Sequence, residues 1–182
     1  MKLKLNNVRL AFPALFEAKT VNGEGDPAFS AVYLLDPADP QVKTIEATMQ
    51  AVAKEKWGAK GEAQLKALRA AGKTCLNDGD LKGDYAGFAG QIYLSARSKT
   101  RPLVLDANKT PLLPADGKPY AGCYVNAVVD VWAMDNNYGK RICASLAAVQ
   151  FYRDGDAFAG GAGGSADDFD DVSEGADVDV LA

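Results

Sequence analysis

Residues 124–152 read YVNAVVDVWAMDNNYGKRICASLAAVQFY, and this stretch decides the fold. Its first eleven residues alternate: Tyr124, Asn126, Val128, Asp130, Trp132 and Met134 lie on one side, and Val125, Ala127, Val129, Val131 and Ala133 on the other. A period of two is that of a strand, and the second set, small and branched apolar throughout, is the core face. Asp135–Gly139 is turn chemistry, and Lys140–Tyr152 returns as a long partner strand, expected to be bent or bulged.

Working outward, the chain holds further short strands. Lys2–Leu10 alternates until Asn6-Asn7 shifts its phase, which predicts a bulge. Phe12-Pro13 is expected to end or bend that strand, and NGEGDP at 22–27 to form a loop. FSAVYLL at 29–35 follows, with Phe29, Ala31, Tyr33 and Leu35 on one face. A strand is predicted over 88–96 and another in LVLD at 103–106. Between the early strands lies a helical insertion, about 38–72. Asp39 caps it, Pro40 takes the first helical position, and Val42, Ile45, Met49 and Val52 recur on one face. A second helix over 62–71 presents Leu65 and Leu68 and ends at Gly72. Short antiparallel strands with glycine-marked turns make the fold mainly β. A five-stranded barrel of the oligonucleotide-binding (OB) type, with an inserted helical element and a long C-terminal hairpin, fits the pattern, and a sandwich is the other arrangement it allows.

Charge is unevenly placed. The whole chain of 182 residues carries a net −4, but residues 1–152 hold 19 Lys/Arg against 15 Asp/Glu, and residues 153–182 one Arg against nine acids. A +4 body thus carries a −8 tail. We expect a folded domain over 1–155 and, over 156–182, a flexible hinge with glycine at 160, 161, 163 and 164, followed by the acidic tail. The chain has no histidine, which removes Ser-His-Asp and Cys-His triads and HExxH zinc sites. Three cysteines without CxxC spacing fit a structural role in a reducing compartment. The N-terminus lacks the apolar run of a signal peptide, and no stretch is long and apolar enough to span a bilayer. With no phosphate-cradling or nucleophile motif, the expectation is a non-enzymatic protein of the cytoplasm without metal or cofactor.

Binding of single-stranded nucleic acid needs positive charge to track phosphates and flat side chains on which bases stack. Two clusters supply both: Tyr93 with Arg97, Lys99 and Arg101, and Trp132 with Tyr138, Lys140 and Arg141. Arg9 and Phe12 belong to a weaker third group with Lys2, Lys4 and Phe16; the other reading has Phe12 and Phe16 as core or edge-covering residues and Trp132 and Tyr124 packed under an insertion. The tail, through Asp167, Asp168, Phe169, Asp170, Asp171, Glu174, Asp177 and Asp179, can act as a tethered polyanion that competes for the basic groove.

VRLAFPALFEAK (8–19), RPLVLD (101–106) and above all YAGCYVNAVVDVWAMDNNYGKRICASLAAVQFYRDGDAFAGG (120–161) together resemble the single-stranded DNA-binding proteins of bacteriophages. Positions that match that pattern include Arg9, Phe12, Arg101, Tyr120, Gly122, Tyr124, Gly139, Leu146 and Gln150. The resemblance implies an OB barrel that binds single-stranded DNA without marked sequence preference. It also implies work in phage DNA replication or recombination inside an infected bacterium, with an acidic tail that meets replication proteins. It brings Tyr120 and Tyr124 into the candidate DNA-binding set. Modest charge per protomer further predicts a homo-oligomer (a dimer) or a cooperative filament on DNA. A β-rich virion or assembly protein and a single-stranded RNA binder are the competing readings.

Overall fold

A computed structural model describes residues 1–21 and 23–158. The eight acidic-tail residues singled out above, Asp167 to Asp179, lie outside the described residues. The first strand, β1 (Lys2–Val21), is twenty residues long and bends at two non-glycine residues with positive φ, Asn7 (51°) and Phe12 (46°). At Asn7 the register with β6 (Tyr124–Asn136) slips between Leu5 and Val8, which is the bulge read from Asn6-Asn7. At Phe12 the strand does not end. It slips against β2 (Glu24–Leu35) between Ala11 and Ala14 and continues. Asparagine tolerates the left-handed region, whereas a bulky ring there is strained by roughly 1–3 kcal/mol and must be held by its surroundings. Phe12 is held against Tyr85 and Phe88, at ring centroid distances of 5.1 and 5.7 Å.

The stretch NGEGDP is therefore only partly a loop, since β2 begins at Glu24. Its pleat is the expected one: Ala31, Tyr33 and Leu35 are buried on the core face. The helices α1 (Pro40–Trp57) and α2 (Gly61–Ala70) follow, joined by a single 3-10 turn. The Asp39 carboxylate accepts from the Gln41 N–H, and Val42, Ile45, Met49 and Val52 enter the same core as the barrel strands. Gly72, at φ 69°, ends the helical pair, and the next N–H, of Lys73, returns to Leu68 O.

Two short strands, β3 (Leu76–Asp78) and β5 (Leu103–Leu105), flank the barrel. The strand expected over 88–96 is β4, and it lies later, at Ile92–Ser98; Phe88 sits in the turn-rich segment before it. β7 (Gly139–Arg153) completes the hairpin with β6, offset by one residue between Val128 and Val129.

Five strands make the barrel, in the circular order β1, β2, β4, β7, β6. All neighbours are antiparallel except β4 and β7, which run parallel and meet at one pair, Arg97 with Ser145. The rest of that edge of β4 is taken by β3, which pairs with Ile92–Leu94. This is the Greek-key closure of the OB class. The inward set of β6 (Val125, Ala127, Val129 and Val131) is buried with Leu5, Leu10, Leu94 and Ile142. No described helix is long and apolar enough to cross a membrane.

Candidate nucleic-acid interface

Strand β4 and the β6–β7 hairpin bring Arg97 (β4), Trp132 (β6) and Arg141 (β7) to one open groove of about 350 Å³. Ser95 and Arg97 form one bank, Cys143 and Ser145 the other, and Thr74-Cys75 closes one side. Among the described residues no carboxylate lines it. Trp132 stands on the solvent side of its strand because it is out of phase with the core set. It remains 40% exposed, and its indole N–H donates to Ser145 Oγ at 3.0 Å. That bond fixes the ring across the β6–β7 pair and leaves area free for stacking. Burial pushes the Cys143 thiol above its usual pKa, with Arg141 opposing; the thiol is therefore neutral at physiological pH, and the fixed charge of the groove comes from the two arginines.

The remaining members of the two clusters flank this groove in different ways. Arg101 is exposed, with its guanidinium 5.7 Å from the centre of the Phe16 ring, and Lys99 lies 3.5 Å from the Asp26 carboxylate, both ends exposed. Tyr138 is the tip of the β6–β7 hairpin and is 95% exposed. Lys140 is engaged by the helical insertion: its ammonium sits 5.9 Å from the Trp57 ring centre and 3.4 Å from Gln64 Oε1. The Trp57 indole N–H donates to Asp135 at 2.9 Å, so the helices tie down the hairpin.

Tyr93 differs from what its place beside Arg97 predicts. It points outward, in phase with Ser95 and Arg97, yet is only 6% exposed. Phe88 lies 5.5 Å away edge-on, and the Lys82 ammonium 5.3 Å above. The segment 79–91 folds over this part of the sheet and makes a small second core from Ala11, Leu34, Phe88 and Tyr93. The rings exposed at the rim of that core are Phe12 and Tyr85.

Arg9, Tyr120 and Tyr124 gather elsewhere, where β1 crosses the start of β6. The Tyr124 ring has the Arg153 guanidinium at 3.7 Å and Arg9 at 5.9 Å. Arg9 donates to the Gly122 and Asp156 carbonyls (3.1 and 2.8 Å), and Arg153 to Asn7 Oδ1 (3.3 Å). The Tyr120 hydroxyl donates to Asp154 (2.8 Å), a bond that raises its pKa. Sequence reasoning missed Tyr85, Arg153 and Phe158. Arg153 reaches Tyr124 across a second register slip, between Tyr124 and Val125, that the alternation does not announce, and Tyr85 and Phe158 carry no local signal.

A closed five-stranded barrel with a parallel β4–β7 closure, and a groove of arginines and an exposed indole beside it, defines an oligonucleotide-binding protein. Comparison with known proteins narrows the class. The chain belongs to the family of the single-stranded DNA-binding protein of Enterobacter phage Enc34, whose family model matches residues 1–181. Protein p50 of Acyrthosiphon pisum secondary endosymbiont phage 1 is 48% identical over 185 residues, covering 100% of both chains. The structure of the Enc34 protein in complex with ssDNA is similar at a TM-score of 0.73 and 29% identity, over 86% of this chain and 88% of that one. The Enc34 protein alone gives 0.70 and 27%, over 93% and 90%. The single-stranded DNA-binding protein gp2.5 of bacteriophage T7 shares the fold at a TM-score of 0.56 and 9% identity, over 84% of this chain and 91% of that one.

Proposed function

We propose that this chain binds single-stranded DNA without sequence preference, and that it covers and organises the strand during phage DNA replication or recombination in the infected cell. The observation that carries the reading is the convergence of Arg97, Trp132 and Arg141 on one groove that no carboxylate of the described residues lines. Guanidinium groups track phosphates and an indole stacks on any base, which gives affinity without sequence readout. Arg101 and Lys99 beyond one end, and Tyr138 and Lys140 at the hairpin, extend the path. The family membership supports the same ligand.

The acidic residues of the tail, Asp167 to Asp179, act in this reading as a tethered competitor for the groove and, once displaced, as a contact for basic surfaces of replication proteins. Several copies along one strand, as a dimer or filament, would make up for the modest charge of a single body. The test is fluorescence anisotropy of labelled oligo-dT, duplex DNA and single-stranded RNA across a salt series. Preference for oligo-dT with steep salt dependence is expected. Equal affinity for duplex would refute the stacking, and tighter binding of RNA would reassign the ligand. A chain ending at Phe158 should bind short oligonucleotides more tightly at low salt; unchanged affinity would refute the competition.

A further inference from the structure

The segment that leaves β7 does not depart from the barrel at once. Residues 154–158 lie across the Arg9–Tyr124–Arg153 face, and their contacts have a particular chemistry. The Phe158 ring sits over the Arg9 guanidinium, 4.3 Å from it. It also rests on Gly87, at φ 84°, where a Cβ would overlap the ring, so glycine is needed on both counts. The same arginine donates to the Asp156 carbonyl, and Asp154 accepts from Tyr120. A flat ring and a carbonyl are thus presented in series to one arginine, Arg9, with a carboxylate beside them on Tyr120.

The face underneath has what a nucleotide needs. Among the described residues, Arg9 and Arg153 pair only with neutral acceptors, namely backbone carbonyls and an asparagine side chain. Their two positive charges flank one tyrosine ring, and the exposed Phe12 lies on the same strand as Arg9. Guanidinium planes accept bases by stacking and phosphates by hydrogen bonds. Phe158 and the Asp156 carbonyl satisfy Arg9 as a base and a phosphate oxygen would, while Arg153 stays on Asn7 and the Tyr124 ring.

We propose that the strap Asp154–Phe158 is a built-in nucleotide mimic: Phe158 occupies on Arg9 the seat of a base of single-stranded DNA, and strand and strap exclude each other from the Arg9–Tyr124–Arg153 face. This rests on the DNA-binding reading above and adds to it a second contact site, separate from the Trp132 groove and closed in the free protein. The polar bonds of the strap, among them the Phe158 N–H to Ala121 O at 3.0 Å, lie at the exposed or half-buried surface, where an anionic strand can compete for Arg9 and displace it. Displacement also lifts the root of the acidic tail away from the barrel.

The experiment uses the full-length chain and two readouts, oligo-dT anisotropy and amide hydrogen exchange at Phe158. A competent face that is mostly occupied by its own plug lowers apparent affinity by the fraction left open. Phe158→Ala should therefore tighten binding by up to about 2- to 30-fold, the range of one cation–π contact, and saturating DNA should speed exchange of the Phe158 amide in the wild type. Unchanged affinity in Phe158→Ala, or a Phe158 amide that stays protected under DNA, overturns the mimic. Weaker binding by Phe158→Ala also overturns it, because the ring would then be stacking on the strand. Trp132→Ala keeps the two readings apart: if it weakens binding while Phe158→Ala does nothing, the groove stands and the mimic alone falls. A wild-type chain that does not bind oligo-dT removes both.

Discussion

Removing the ring and removing the charges of the groove should leave different signatures. Trp132 is half-exposed and fixed by Ser145, so Trp132→Ala deletes one stacking platform without altering charge. Base–aromatic stacking contributes about 1–3 kcal/mol per base, which corresponds to oligo-dT binding weaker by about 5- to 150-fold at any one salt concentration. The slope of log affinity against log salt should not move, since no counterion is involved, and Trp132→Phe should recover much of the loss. The double variant Arg97→Ala, Arg141→Ala removes two cations that no carboxylate among the described residues of the groove offsets. On a single strand each phosphate contact contributes about 0.7 to the slope, so the pair should flatten it by about 1.4. Raising salt tenfold should then shrink the difference from wild type by about 25-fold. Lys99 already has Asp26 beside it and should contribute less than Arg97. Anisotropy titrations of a labelled oligo-dT from low to high salt measure all of this. A Trp132→Ala variant that flattens the slope, or an arginine pair whose loss leaves it unchanged, would refute the division of labour in the groove.

Three further outcomes follow from the core. Leu94 is fully buried on β4 between β2 and β3, so Leu94→Ala should cost about 2–5 kcal/mol, lowering Tm by about 5–15 °C in a thermal melt. The Tyr33 hydroxyl is buried and has no hydrogen-bond partner among the described residues, so Tyr33→Phe should stabilise the fold by about 1–3 kcal/mol in urea unfolding; a loss of that size would show that the hydroxyl is satisfied. Burial pushes the Cys75 thiol from about 9 up to about 12. Because the folded value is the raised one, this contribution to stability is intact below pH 9 and is lost as pH rises from 9 to 12. The stability advantage of the wild type over Cys75→Ala should therefore shrink by up to about 4 kcal/mol across that window, and a constant difference would contradict a buried neutral thiol.

The β6–β7 hairpin and the helical pair were legible because their information is local: one alternation, one turn, one helical stripe, one cap. The bulge at Asn6-Asn7 was legible for the same reason. Phe12 was not, because its ring is held by Tyr85 and Phe88, residues more than seventy positions away that oblige the strand to turn and continue. In the groove, the residue types were visible and their meeting was not. Arg97 joins Trp132 and Arg141 only through the β4–β7 closure, a long-range pairing that carries no mark in either strand. Tyr93 has the same phase as Arg97 and differs only in being roofed by 79–91, a segment whose turn-forming composition says nothing about what it covers. Partition of charge after Tyr152 separated Arg153 from Tyr124, although the two are register partners.

The single rung between β4 and β7 has a mechanical consequence. Every other junction of the barrel is a ladder of several pairs, whereas this one is Arg97 opposite Ser145, and it lies in the floor of the groove. A polymer laid along that floor would touch both banks, Ser95 and Arg97 on one and Cys143 and Ser145 on the other, and so would span the junction with the fewest paired residues. If DNA takes this groove, as proposed, occupancy and closure become one equilibrium: the strand would stiffen the seam, and loosening the seam would weaken its binding. The protein would then hold its strand best when its own wall is shut, and shut its wall best when the strand is there.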